Sequence, residues 1–277
     1  MGRLDTKKAD VSVIIPVYNS GEEAFRAVSS IAKQTLLPKE VILIDDCSPD
    51  QKQVKKWFSK IETTFKNEFK IIFLFQKVNG GAGEARNRGW EIASGKYVAF
   101  LDSDDIWHPK KIEIQYAFME NNPQIGFCCH HLSVIDENGI DAFSHTDLDI
   151  KETDIIPINP KRYLFKHYPI GGTSYVMARN VSDIRFLKGK RYSEDYLVWL
   201  EFCFEYGGVL INKYMGAAFK PFYGAGGLSK SLWKLEKGEL ENYKVLNHIG
   251  LINSRLLCSA SAFSLLKFIR RVLIVSL

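Results

Sequence analysis

The chain has 277 residues and a net charge of +5, from 37 Lys and Arg against 32 Asp and Glu. Its 46% hydrophobic and 25% charged residues are an ordinary globular balance, and so weak a positive excess makes no case for nucleic acid. The charge fits a protein that handles anionic small molecules or sits near an anionic membrane. Five cysteines, an odd number with no C-x-x-C spacing, give neither a disulfide framework nor a zinc site. A reducing, cytoplasmic setting follows as the expectation. The polar stretch Met1–Asp10 reads as neither a signal peptide nor an anchor.

The first apolar run, Val11-Ser-Val-Ile-Ile-Pro-Val17, has strand length and breaks at Tyr18-Asn-Ser-Gly21. Ala24, Val28, Ile31 and Ala32 then recur at helical spacing. A second strand is expected over Glu40–Asp46, an amphipathic helix through Val54, Trp57, Phe58, Ile61 and Phe65, and a third strand over Lys70–Phe75. This alternation argues for βαβ units and a largely parallel sheet, and the near-continuous apolar runs suit strands buried on both faces. The glycine-rich loop Asn79–Gly83 leads into a helix over Glu84–Ala93 that carries Arg86 and Arg88.

The next strand, Tyr97–Leu101, delivers three carboxylates, Asp102, Asp104 and Asp105, to its C-terminal end. Buried negative charge needs compensation, and oxygen ligands suit Mg²⁺ or Mn²⁺. The same cluster also fits a helix N-terminus, with Asp104 or Asp105 capping a helix entered through Pro109. Taken alone, the residues leave both readings open.

The second half is less regular. A helix is expected through Ile112, Tyr116 and Met119, a strand over Ile125–Cys129, a hairpin turn at Asp136–Gly139, and a patternless loop over Asp141–Pro160. Gly171–Ala178 reads as a strand and Glu194–Tyr206 as a helix closed by Gly207-Gly208. Strands are expected near Val209–Ile211 and Ala217–Phe222. His130 and His131 lack metal-ligand spacing, which favours a structural or acceptor-lining role. Trp107, Trp199 and Trp233 read equally as core or as sugar-stacking residues. From Arg255 to Leu277 the chain is apolar but too short to span a bilayer uninterrupted. Lys267, Arg270 and Arg271 share one helical face there, so this tail reads either as an interfacial helix on an anionic membrane or as a docked terminal helix with a solvated basic face.

Four strand ends should meet at one edge of the sheet, where open α/β sheets bind ligands. Pro16 and Tyr18 could wall a base or ribose, and Asp46 could accept a base N–H or ribose hydroxyl. The glycines up to Gly83 let backbone come close to a ligand, and Arg86 offers a forked donor to phosphate. A metal at Asp104 would bridge diphosphate oxygens. Neither the G-x-G-x-x-G fingerprint nor a P-loop is present.

Val11–Asn19, Ile44-Asp-Asp-Cys-Ser48, Ala85-Arg-Asn-Arg-Gly89 and Tyr97–Asp105 resemble, in order and spacing, the family 2 glycosyltransferases of GT-A fold. The resemblance implies a Rossmann-like α/β fold with a mixed, mostly parallel sheet flanked by helices and followed by an amphipathic helical tail. It implies a donor-binding half over residues 1–110, an acceptor and catalytic-base half over 111–235, and the tail over 236–277. Asp46 resembles the carboxylate that reads the base, usually uracil. Asp102-Ser103-Asp104 resembles the D-x-D motif, with Asp104 as direct metal ligand and Asp102 near ribose or metal. Ser193-Glu-Asp-Tyr196 resembles the acceptor-side Glu-Asp motif, with Asp195 as general base and Glu194 as the alternative, while Ser193 followed by acidic residues also reads as an ordinary helix cap. Gly226–Ser229 resembles the segment that closes over the donor. Tyr223 lies where some relatives have a metal-binding histidine.

The implied activity is an inverting, Mn²⁺- or Mg²⁺-dependent transfer from a UDP-sugar to a glycan or lipid-linked acceptor, at the cytoplasmic face of the inner membrane. A non-catalytic nucleotide-sugar binding module would need Asp46 and Asp104 but have no use for Asp195. A sugar nucleotidyltransferase would need a glycine-rich, basic first loop, which Tyr18-Asn-Ser-Gly21 is not.

Overall fold

The computed structural model describes residues 8–165, 172–181, 183–219 and 232–275. Its first half alternates strand and helix: β1 (Ala9–Val17), α1 (Gly21–Ala32), β2 (Pro38–Asp45), α2 (Gln51–Phe65), β3 (Lys70–Phe75), α3 (Ala82–Ile92) and β4 (Tyr97–Phe100). Along β1, Val11, Val13, Ile15 and Val17 face a core shared with α1 and α2, while Ile14 joins Ile42, Ile44, Ala85 and Trp90 on the other face. Burial on both faces is what the unbroken apolar runs require. Helix α3 lies close on this second face because residue 89 is glycine. A Cβ there would come within 2.7 Å of Ile44 and 2.8 Å of Ile14.

The second half supplies β5 (Asp105–Trp107), α4 (Lys111–Asn121), β6 (Phe127–Val134), α5 (Ile140–Ser144), β7 (Ile155–Pro157), α6 (Pro160–Tyr163), β8 (Met177–Arg179), α7 (Glu194–Tyr206) and β9 (Gly208–Ala218). The described strands form one sheet in the order β3-β2-β1-β4-β8-β6-β9-β5, with β7 also paired to β9. Strands β1 to β4 run parallel, whereas β8 is antiparallel to both β4 and β6. The strand order reverses between β1 and β4, so their C-terminal ends border the crevice expected at such a switch point.

Four expectations are corrected. Asp105 does not cap a helix: it is buried and opens β5, which pairs with Gly216–Ala218, and α4 starts only at Lys111. Its N–H donates to the Asp102 carbonyl at 3.1 Å, so Asp105 closes a turn. Asp136–Gly139 forms no hairpin but a 3₁₀ turn, Glu137–Gly139, with the Asp136 carboxylate accepting from Gly139 N–H. The supposedly patternless loop contains α5 and the strand β7, which borrows its order from β9. Val209 and Ala217 belong to a single strand, β9, and residues 220–222 lie outside the described residues.

Beyond β9, α8 (Leu232–His248) and α9 (Ser254–Val275) form a helical pair. Leu197 and Leu200 of α7 pack with Tyr243 and Leu246 of α8, which fastens the pair to the main body. Trp107 and Trp199 are core residues. The Trp107 ring also lies 3.5 Å from the buried Lys111 ammonium. Trp233 is exposed on α8. His130 is buried and His131 accompanies it on β6, the ring Nδ1 of His130 bonding the His131 carbonyl at 2.8 Å.

Candidate active site

At the switch point Pro16, Tyr18, Asp46, Arg86, Asp102, Ser103 and Asp104 line one cavity of about 450 Å³, together with Val17, Asn19, Ser20, Glu23 and Ala82. The polypeptide reaches this cavity through strained backbone. Asn19, after β1, has φ 52°; Cys47, after β2, has φ 59°; Ser193, before α7, has φ 55°. A non-glycine residue in the left-handed region costs roughly 1–2 kcal/mol, and such residues gather where function demands them. The Asn19 N–H donates to Ser48 Oγ at 2.8 Å, and Ser48 Oγ donates to Asp45 Oδ1 at 2.5 Å. The turns after β1 and β2 are thereby tied together. Asp45, fully buried, is the hub of this link.

Asp46 holds the glycine loop. Its Oδ1 accepts from Gln76 at 2.7 Å and from Gly80 N–H at 2.8 Å, and its Oδ2 accepts from Gly81 N–H at 2.7 Å. Two carboxylate oxygens offer about four acceptor positions, so one on Oδ2 remains for a ligand donor. Burial raises the Asp46 carboxyl above its ordinary value, although the Gly80 and Gly81 N–H groups hold it down. Gly81, at φ 89°, makes the bend into α3. Gly83 does not line the cavity. It is buried, and a Cβ there would sit 3.3 Å from both Glu194 and Phe186, so its smallness serves helix packing.

Arg86 is buried, and both its terminal nitrogens meet carboxylates. Nη2 donates to Asp102 Oδ1 at 2.6 Å and Nη1 reaches Glu194 Oε1 at 3.5 Å. Burial works against its charge, but Asp102 and then Glu194 keep the guanidinium firmly protonated. The free forked donor expected from sequence is therefore a bridge between the two halves of the site.

The D-S-D turn is anchored from the second half. Asp102 N–H donates to Ser174 Oγ and Trp107 Nε1 donates to the Ser174 carbonyl, both at 2.8 Å. Ser103 Oγ shares a hydrogen bond with Ser20 Oγ at 2.7 Å. Burial pushes the Asp105 carboxyl well above its ordinary range, with Asp102 and Asp104 adding to the push and Ser174 opposing it. Ser174 was invisible as a site residue because Gly171–Ala178 reads only as a strand. The 3₁₀ turn Thr173–Tyr175 that aims it depends on tertiary contacts.

Helix α7 starts at Glu194, as its periodicity predicts, but Ser193 does not cap it with its side chain. The Ser193 hydroxyl donates to the Leu235 carbonyl at 3.3 Å. Asp195 Oδ1 instead accepts from Tyr196 N–H at 2.8 Å. Burial, with Asp195 alongside and Arg86 opposing, pushes Glu194 up to about 7. Burial also raises Asp195, against the pull of Arg86. Glu194, held near neutrality at the start of the helix beside Asp195, can exchange a proton at physiological pH.

Among the described residues no group of three His, Cys, Asp or Glu side chains is gathered around a metal position. Asp102 and Asp104 nevertheless line the same cavity with a third carboxylate behind them, a concentration of negative charge that a cation relieves. Mg²⁺ in phosphate sites commonly takes one or two carboxylates and completes its shell with phosphate oxygens and water. The residues present fit an ion of that kind. Gly226–Ser229 and Tyr223 lie outside the described residues.

The sequence is 31% identical over 204 residues to an uncharacterized glycosyltransferase of Methanocaldococcus jannaschii, covering 72% of this chain and 66% of that protein. It is 36% identical over 130 residues to the Escherichia coli UDP-Glc:alpha-D-GlcNAc-diphosphoundecaprenol beta-1,3-glucosyltransferase WfgD, covering 47% of this chain and 48% of that one. The fold matches the crystal structure of residues 1–349 of S. aureus TarS in complex with UDP-GlcNAc, with a TM-score of 0.65 at 20% identity over 94% of this chain and 72% of that one. The sheet with its switch-point cavity is thus the GT-A fold. The sequence model of Glycosyl transferase family 2 matches residues 12–183, from the first strand to beyond Ser174, and the chain belongs to that family.

Proposed function

We propose that the protein transfers a sugar, with inversion, from a UDP-sugar to an acceptor hydroxyl. The observation that carries this reading is the Asp102–Arg86–Glu194 bridge. It couples the carboxylates expected to serve the donor to the helix start expected to serve the acceptor.

In this reading Pro16 and Tyr18 wall the base, and the open position on Asp46 Oδ2 accepts its N–H. Asp102 and Ser103 face the ribose and diphosphate, and Asp104 with Asp102 holds Mn²⁺ or Mg²⁺. When bound, the ion supplies Lewis-acid stabilisation of the departing diphosphate. Arg86 holds Asp102 in place and keeps positive charge beside the leaving group. Asp195 removes the proton of the attacking hydroxyl, with Glu194 as its neighbour and alternative. Attack comes from the face opposite the diphosphate, so a single displacement inverts the anomeric carbon.

The acceptor class is a glycan carried on a lipid diphosphate, as named for the E. coli relative, presented at the cytoplasmic face of the membrane. Supporting this, the C-terminal helices carry exposed apolar side chains (Leu266, Ile269) on the same chain as the cavity. The test is a screen of nucleoside diphosphate sugars by thermal shift and by hydrolysis with Mn²⁺ present. UDP-sugars should raise the melting temperature and be hydrolysed slowly. If no nucleoside diphosphate stabilises the protein, the reading fails.

A further inference from the structure

Helix α9 is built with its polarity reversed for a helix on a water-soluble surface. Between Ser254 and Val275 it carries Arg255, Lys267, Arg270 and Arg271 and no acidic residue. Two of these cations turn inward. Arg271 Nη2 lies 3.0 Å from Glu236 of α8, which is fully buried, and Lys267 Nζ lies 3.1 Å from Glu239. Tyr243 donates to the same Glu239 carboxylate at 2.6 Å. The ion pairs form the seam between α8 and α9.

Large apolar side chains occupy the outward face. Leu266 is 65%, Leu273 60% and Ile269 53% exposed, with Leu265 and Phe263 beside them. Water favours the opposite arrangement, since each such side chain gains roughly 1.5–3 kcal/mol on full burial. A contiguous apolar face of this kind marks an interaction site.

Three observations select the occupant. No helix among the described residues, α9 included, is long and apolar enough to cross a membrane. Its solvent-facing charges, Arg270 and Arg255, are all positive, which complements anionic headgroups. Trp233, 59% exposed, packs on Phe268 with ring centroids 5.6 Å apart, and tryptophan favours the boundary between headgroups and acyl chains. A second copy of the chain fits less well. A two-fold contact along α9 would bring Arg270 towards its own like charges with no carboxylate on the helix to receive them.

We infer that α9 docks the protein flat on an anionic lipid surface through its apolar face, with Glu236 and Glu239 of α8 holding the helix in that orientation. The inference rests on the lipid-linked acceptor reading only for what the docking is for.

The full chain is mixed with phosphatidylcholine vesicles, with or without phosphatidylglycerol, and separated by flotation, with Trp233 emission recorded alongside. The wild type should float, most strongly with phosphatidylglycerol, and its emission should shift to the blue. Leu266→Ser/Ile269→Ser/Leu273→Ser should lose at least about tenfold in vesicle binding, and Arg270→Glu should weaken binding to the anionic vesicles selectively. The inference is overturned if the wild type neither floats nor shifts, if the triple variant floats as well as the wild type, or if the wild type is a dimer that the triple variant dissolves without vesicle binding. Thermal shift with UDP on the same samples separates the two readings. UDP stabilisation without flotation overturns the docking alone, and flotation without UDP stabilisation overturns the sugar-transfer reading alone.

Discussion

The guanidinium of Arg86, on the first helix behind the glycine loop, reaches Glu194 of α7 at 3.5 Å while it holds Asp102 at 2.6 Å. Removing one member of a buried ion pair leaves the others uncompensated and costs about 3–5 kcal/mol. Arg86→Ala should lower the unfolding free energy measured in urea by that order and abolish sugar transfer. Arg86→Lys keeps the charge without the fork, so it should recover stability better than activity. Wild-type turnover in the lysine variant would show that bridging both carboxylates at once is dispensable.

Glu194 fixes a pH dependence. Its carboxyl stands near 7 in the fold against an ordinary 4.5. The folded state therefore binds this proton more tightly than the unfolded chain. The resulting stabilisation is fully present below pH 4.5 and is lost as pH rises through about 7. With Glu194 in the role of base, the rate of transfer should climb over the same range, because a carboxylate and not an acid must accept the acceptor's proton. Glu194→Gln should flatten the stability change measured by urea midpoints across that window. An identical slope in the variant would assign the titration elsewhere.

Asp195 and Asp104 are separable by what they leave intact. Asp195→Asn should reduce transfer by about 10²- to 10⁴-fold, the usual worth of a positioned general base, with UDP affinity little changed. Asp104→Asn should weaken donor and metal binding together. Chelation should silence the wild type until Mn²⁺ is restored. Full activity in a rigorously metal-free preparation would remove the ion from the mechanism.

Ser174→Ala withdraws the acceptor of the Asp102 N–H, and Ser174 is itself buried. A buried donor left without a partner costs about 1–3 kcal/mol. The variant should lose that much stability and bind UDP more weakly, because the D-S-D turn loosens. Unchanged calorimetric binding of UDP would mean that β5 alone fixes the turn.

Much of the first half was readable in the sequence because strands buried on both faces must be continuous apolar runs, as Val11–Val17 and Val41–Ile44 are. The cavity residues followed from knowing where those runs end. What escaped was decided at a distance. Three-residue strands such as Asp105–Trp107 and Ile155–Pro157 exist only because β9 offers them partners. Periodicity placed Lys267 and Arg271 on one face of a helix but could not say that Glu236 and Glu239 would draw that face inward. Nor could it show that Arg86, a plausible phosphate donor by composition, is already engaged at both ends.

The strand β9 pairs with β6, β7 and β5, and it lies late in the chain. During synthesis β1 to β4 can pair as they emerge, since each neighbour is already present or follows soon. Asp105–Trp107 must wait until Gly216–Ala218 has left the ribosome. The carboxylate turn is thus the last part of the cavity wall to be fastened. A nascent chain would hold the other walls of the cavity well before Asp102 and Asp104 were fixed in place on it.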